Sequence, residues 1–245
     1  ILQYRTEPVV RNEIGRNFAC VDWIDRQLGR VLAKLEEQGL MNNTYIVFTS
    51  DHGIAIGRHG LQGKQNLYEH TWKVPFIVRG PGIAAGSETD AMIYLHDVFP
   101  TFCDLAGATV TTPSTIGPND GLSIRPVLEG TATTVRDAVY GVYRGGSRPG
   151  MRSIKNGRWK MIKYDLDGDN VQETQVFDLL ENPFELLPEH GVPNLATLPS
   201  HALVRQELEE LLMAKRREFE DPDAFLGDRT LLRFEDGTAG QVAGA

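Results

Sequence analysis

Residues 43–80 read "NTYIVFTSDHGIAIGRHGLQGKQNLYEHTWKVPFIVRG", and this stretch decides the fold. It opens on an apolar, β-branched run through Phe48 and closes on a second one, "VPFIVRG", followed by the turn Pro81-Gly82. Each run has the unbroken apolar character of a strand buried on both faces. The loop between them carries Asp51, His52, His59, Lys64 and His70, punctuated by Gly53, Gly57, Gly60 and Gly63. A loop this long, with little aliphatic content and two strands to clamp it, reads as functional rather than disordered.

Upstream, Phe18, Val21, Ile24, Leu28, Val31, Leu32 and Leu35 fall at helical spacing over residues 16–37, and Gly39 supplies the stop. Downstream, Asp97 is placed to cap a short helix, "VFPTFCDLAG", with Pro100 in its first turn and Gly107 at its end. Helix, strand, loop, strand, helix is the rhythm of an open α/β sheet with helices on its faces. From Ala138 the texture changes. "AVYGVYRGG", "MRSIKNGRWKMIKYD" and "TQVFDLL" are short β-type segments joined by Asn-Gly and Asp-Gly turns, which predicts an antiparallel meander. "ALVRQELEELLMAKRREFE" then forms an amphipathic helix with Leu203, Leu208, Leu211, Leu212 and Phe219 near one face. The expected architecture is α/β: part of a three-layer open sheet with helices on both faces, then a small antiparallel sheet packed with a C-terminal helix. The boundaries that follow are 1–133 for the α/β part, 134–225 for the small α+β domain and 226–245 for a tail.

The chain has 245 residues and a net charge of −8, with no sustained basic run, which argues against a nucleic-acid partner. No stretch has the apolar length of a membrane span. Cys20 and Cys103 fit neither a metal spacing nor a disulfide framework and read as buried small hydrophobes. The opening residues "ILQYRTEPVVRNEIGRNF" hold no initiator Met and no signal-peptide core, as in a chain already under way.

Asp51 stands where the loop leaves the first strand, the place where open α/β sheets gather functional groups. Asp51 and His52 would point to opposite faces of an extended strand, and Gly53 permits the bend that turns both toward one centre. A carboxylate beside an imidazole suits a divalent cation or an acid–base pair. On spacing alone, a strand-end Asp capping its own turn is an equal reading. Lys64, behind Gly63, can approach a bound oxyanion with a compact charge and three donors; its plain alternative is a solvated surface lysine. His59 sits between Arg58 and Gly60, where a turn histidine bonded to backbone is the plain alternative. Gln65, Asn66, Tyr68, Glu69 and His70 are placed to line a pocket, and Tyr68 and Glu69 fit equally as residues that cap and pack the segment entering the second strand. Residues 165–170, "DLDGDN", fail as a calcium loop, because Asn170 and Val176 stand where Gly and Glu are required; they read as a hairpin turn.

These residues also carry a resemblance. "YIVFTSDHGIAIGRHGLQGKQNLYEHTWKVPFIVRGPGI" closely resembles the metal-binding segment of sulfatases, within the alkaline-phosphatase-like superfamily. The likeness extends back through "FACVDWIDRQLGRVLAKLEEQGL" and forward through "LHDVFPTFCDLAGA". It continues more loosely in "MRSIKNGRWKMIKYD" and "VFDLLENPFELLPEH". The resemblance implies a sulfuric ester hydrolase acting on a sulfated carbohydrate or small ester. Asp51 and His52 match metal-ligand positions, with calcium as the implied ion. Lys64 matches the catalytic lysine that contacts the sulfate, and His59 is grouped with it as a substrate contact. The compartment, periplasmic or secreted, is implied by the resemblance alone.

The family nucleophile is a formylglycine made from the first residue of Cys-x-Pro-x-Arg or Ser-x-Pro-x-Arg. Neither Cys20 nor Cys103 is followed by that Pro and Arg, and "SRPGMR" from Ser147 has its Arg one residue late. The chain therefore resembles the C-terminal portion of a sulfatase and is expected to be inactive by itself. Two other functions fit the same loop: a phosphodiesterase or phosphonate hydrolase of the superfamily, and a non-catalytic anion- or metal-binding module.

Overall fold

The computed structural model describes residues 6–109, 120–145, 148–166 and 171–221. Ser147, most of the 165–170 turn and the tail 226–245 lie outside the described residues. The chain forms two compact units: Ile1–Val139 with Phe184–Gly191, and Tyr140–Pro183 with Val192–Ala245. Among the described residues no helix is long and apolar enough to cross a membrane.

The first unit opens with α1, Glu7–Glu37. It starts well before the apolar spacing does, because Glu7 and Pro8 suit a first turn: the acid faces the positive end of the helix, and the proline gives up an N–H that would have no helical partner. It ends as expected at Gly39, whose φ of 68° lets the Leu40 N–H return to the Leu35 carbonyl at 2.9 Å. The apolar stripe lies open, with Phe18 68% and Trp23 64% exposed. Cys20 is exposed and Cys103 half-buried, so neither is the buried hydrophobe expected.

The two predicted strands are β1, Ile46–Thr49, and β4, Phe76–Arg79; they pair antiparallel in the register Ile46↔Arg79 to Thr49↔Phe76. Burial on both faces was expected, yet β1 is half-buried and β4 alternates half-buried with exposed positions. Among the described residues each has only the other as a ladder partner, and no described helix covers the outer face at Ile77. Between them lie the two-residue strands β2, Ala55–Ile56, and β3, Gln62–Gly63, paired antiparallel, and the single turn α2, Glu69–Trp72. Helices α3, Val98–Leu105, and α4, Arg125–Leu128, follow.

Asp97 departs from its expected role. The Leu95–Asp97 turn precedes α3, and the helical backbone at Asp97 directs its carboxylate away from the amides that follow. The carboxylate is fully buried and accepts four hydrogen bonds instead. Oδ2 takes the Tyr94 N–H at 2.6 Å and Arg136 Nη1 at 2.5 Å; Oδ1 takes the Leu122 N–H at 2.8 Å and Arg136 Nη2 at 2.7 Å. One side chain thus ties three distant segments of the first unit together.

The second unit contains the meander: β5, Val139–Gly145, β6, Arg148–Lys155, β7, Trp159–Leu166, and β8, Val171–Asp178, in that spatial order. Gly157, at φ 87°, makes the β6–β7 turn. Helix α5, Ala202–Glu218, packs on β6 and β7, so the small antiparallel sheet with its C-terminal helix forms as expected. Its inner line differs from the expected one. Leu208, Leu212 and Arg216 are buried at successive i, i+4 positions, whereas Leu203 is 76% exposed. Arg216 is there because the buried carboxylate of Asp221, 3.5 Å from its Nε, needs cations. Arg152 binds that carboxylate through Nε at 2.5 Å and Nη2 at 2.8 Å, and the Tyr140 hydroxyl donates to it as well. Burial, then the hydrogen bond to Asp221 and its charge, push the Tyr140 hydroxyl pKa well up.

Removing one partner of a buried pair leaves an uncompensated charge, so Asp97→Ala should destabilise the chain by about 3–5 kcal/mol in urea unfolding. Arg26→Ala, which breaks only an exposed pair with Asp22 in the middle of α1, should leave the unfolding midpoint where it was.

Candidate functional site

The site is built where β1 gives way to the glycine-rich loop. The Gly53 N–H donates to the Thr71 carbonyl at 2.7 Å, so the loop's first and last turns touch through backbone. A Cβ on Gly53 would stand 2.1 Å from the His70 carbonyl oxygen. Glycine is required at this position by close approach rather than by the bend expected of it.

That contact fixes the course of the residues just before it. The Ser50 hydroxyl donates to the His52 carbonyl at 2.9 Å. His52 Nδ1 lies 2.8 Å from the Gly53 carbonyl, which can only accept, so Nδ1 carries the proton and Nε2 presents a lone pair. Lys64 Nζ donates to that lone pair at 2.7 Å. Lys64 is delivered by β3 and by Gly63, which adopts φ 91°. Asp51 Oδ2 lies 3.2 Å from the same Nε2. The structure therefore brings Asp51, His52 and Lys64 to one point, with His52 half-buried and Asp51 open to solvent. Desolvation, the largest single influence, pushes the Asp51 carboxyl up, but the electrostatic attraction of His52, the backbone hydrogen bonds of His52 and Asp51, and the charge of Lys64 together outweigh it. The net pKa lies below the ordinary 3.8.

The donor set can be tested against the divalent cation that the resemblance implies. A carboxylate oxygen and an imidazole nitrogen 3.2 Å apart are spaced as neighbouring ligands of a single ion. Two donors fall short of the roughly six to eight that calcium takes, so the pair fits as part of a shell. The ammonium of Lys64 stands beside them as the fixed positive charge.

His59 goes elsewhere. It sits in the tight turn Arg58–Gly60, itself at φ 52°, and its ring packs 4.3 Å from the Tyr68 ring and 5.4 Å from the His70 ring, centroid to centroid. Glu185 completes this cluster; ligand atoms of His59, His70 and Glu185 lie within 4.8 Å of one another. Glu185 is 1% exposed, and its Oε2 accepts the Glu69 N–H at 2.6 Å, securing the start of α2. Sequence reasoning passed over Glu185, which stands 116 residues from Glu69 in a stretch without periodicity. Beside the cluster a depression of ≈ 400 Å³ is lined by Arg58, His59, Leu186, Glu189 and His190.

Comparison with known proteins gives a consistent picture. A family model described as Sulfatase matches residues 3–108, and one described as N-sulphoglucosamine sulphohydrolase, C-terminal, matches residues 57–218. The N-acetylglucosamine-6-O-sulfatase of Bacteroides thetaiotaomicron is 33% identical, over 87% of this chain and 38% of the relative. A protein solved in complex with its substrate, D-glucosamine-2-N,6-O-disulfate, superposes with a TM-score of 0.72 at 32% identity, covering 83% of this chain and 40% of that one. The phosphonate monoester hydrolase of Silicibacter pomeroyi does so with a TM-score of 0.64 at 27% identity, covering 80% and 39%. The chain spans about two-fifths of the length of the proteins it matches.

Two outcomes follow from the geometry. Gly53→Ala should separate the loop's two ends, seen as loss of the Gly53–Thr71 amide protection in hydrogen exchange; unchanged protection would show that the loop is held otherwise. An NMR titration of the Asp51 carboxyl should give a midpoint below 3.8, moving upward in His52→Asn. The sign follows from linkage: a carboxyl depressed in the folded state favours folding above its unfolded value and loses that contribution as pH falls through the folded one.

Proposed function

Since the chain belongs to the sulfatase family, we propose that it serves the hydrolysis of a sulfate ester carried by a sugar. The observation that carries this reading is the meeting of the Lys64 ammonium, the His52 lone pair and the Asp51 carboxylate at one point. Lys64 binds a sulfate oxygen and, as the ester bond breaks, stabilises the negative charge that develops on the group. Asp51 and His52 would hold the divalent cation, with His52 Nε2 exchanging its bond to Lys64 for the ion and Asp51 supplying the formal charge. We assign the ion as calcium, and when bound it supplies further charge stabilisation at the sulfate. The nucleophile in this reading is a formylglycine lying outside the 245 residues, since these contain no Cys-x-Pro-x-Arg or Ser-x-Pro-x-Arg. A sulfated sugar is favoured as substrate because two of the similar proteins carry amino-sugar sulfates in their descriptions. His59, grouped with Lys64 as a substrate contact, lines the depression beside the loop with its ring nitrogens out of contact with solvent.

One observation favours a second reading, hydrolysis of a phosphonate ester: the likeness to a phosphonate monoester hydrolase. Both esters present a tetrahedral centre with anionic oxygens, which a lysine and a divalent cation recognise alike.

Calorimetry with calcium and with N-acetylglucosamine-6-sulfate separates the readings. Lys64→Ala should weaken the sugar sulfate at least about 10-fold, as expected for loss of a charge-assisted bond. Asp51→Asn should weaken calcium more than His52→Asn does, because only the first removes a charge. Tighter binding of a phenyl phosphonate than of the sulfated sugar would favour the second reading. Sugar binding indifferent to Lys64→Ala would sink both.

A further inference from the structure

We infer that His59, His70 and Glu185 form a second cation site, selective for a transition ion of the zinc type. Two imidazoles and one carboxylate, all within 4.8 Å, are a donor set that zinc favours and calcium, which seeks oxygen, does not. The three ligands come from three places: the turn Arg58–Gly60, helix α2, and the segment Phe184–Gly191 of the same unit. Modest movement of these side chains brings their ligand atoms around one ion.

The surroundings are those of a built site rather than a chance meeting of surface groups. The four ring nitrogens of His59 and His70 are out of contact with solvent, and Glu185 is 1% exposed. Donors removed from water attract a cation more strongly than exposed ones. The ring of Tyr68, itself 4% exposed, packs on His59 at 4.3 Å and stacks on His70 at 5.7 Å, limiting how either imidazole turns. The Glu69 N–H holds the Glu185 carboxylate in place at 2.6 Å, the kind of outer contact that orients a metal ligand. An ion at this point would fasten the loop that delivers Lys64 to the segment Phe184–Gly191. It shares no ligand with the Asp51–His52 pair, so the two sites stand or fall separately.

The test uses the 245-residue chain, stripped of metal with a chelator and titrated with Zn2+ and, in parallel, Co2+. The expected result is one tightly held Zn2+ per chain and a Co2+ complex with the visible absorption of a four- or five-coordinate site. Zn2+ affinity should fall at least about 10-fold in His70→Ala and in Glu185→Gln, and persist in Asp51→Asn and His52→Asn. Absence of binding at micromolar Zn2+, or a loss confined to His52→Asn or Asp51→Asn, would overturn the assignment. If His70→Ala or Glu185→Gln fails to fold, the wild-type chain decides. Zn2+ should then shift the ring nitrogens of His59 and His70 in NMR spectra, and shifts absent there or seen only at His52 would overturn it.

Discussion

The backbone of Gly53 lies against the carbonyl of His70 more closely than any side chain would allow, and the loop takes its course from that contact. The 2.7 Å bond from the Gly53 N–H to the Thr71 carbonyl joins the point where the loop leaves β1 to the helical turn that precedes β4. Both candidate sites described in the first unit lie within the loop so closed or beside it. Asp51 and His52 are displayed immediately before the contact; His70 stands at the contact itself. Lys64 returns to His52 along the small β2–β3 ladder.

This closure sorts the loop's polar side chains into two environments with different chemistry. Asp51, His52 and Lys64 gather where solvent reaches them, with a lysine charge beside a carboxylate: a setting for an anion held next to a hard cation. His59, His70 and Glu185 gather behind Tyr68 with their donor atoms withdrawn from water, a setting in which imidazole nitrogens and a fixed carboxylate suit a softer ion. Two histidines in one sequence stretch, His52 and His59, therefore do unlike things because of what lies around them.

Elsewhere each unit holds a buried carboxylate tied to an arginine. Asp97 binds Arg136 and two backbone amides in the first unit; Asp221 binds Arg152 and the Tyr140 hydroxyl, with Arg216 3.5 Å away, in the second. Such pairs add little net stability over apolar packing, because desolvating the charges offsets their attraction. Breaking one is what costs, because the partner left behind is a buried charge without compensation.

What the chain's sequence determined by itself is what depends on neighbours along it. Gly39 and Gly157 mark the end of α1 and the β6–β7 turn because a positive φ is a property of the residue in place. The meander and α5 were legible from period and turn chemistry. The meeting of Asp51, His52 and Lys64 was legible because a loop clamped between two strands constrains where its own members lie. Tertiary structure decided the rest. Glu185 joins His59 and His70 across more than a hundred residues, and no local pattern encodes a carboxylate's distant partner. Asp97 has the sequence of a helix cap, yet Arg136 and Leu122 supply bonds that the helix amides do not. Leu203 and Arg216 exchanged their expected exposures for the same reason. Apolar spacing states which side of a helix can be buried, whereas burial itself is set by what packs there, and Asp221 required a cation.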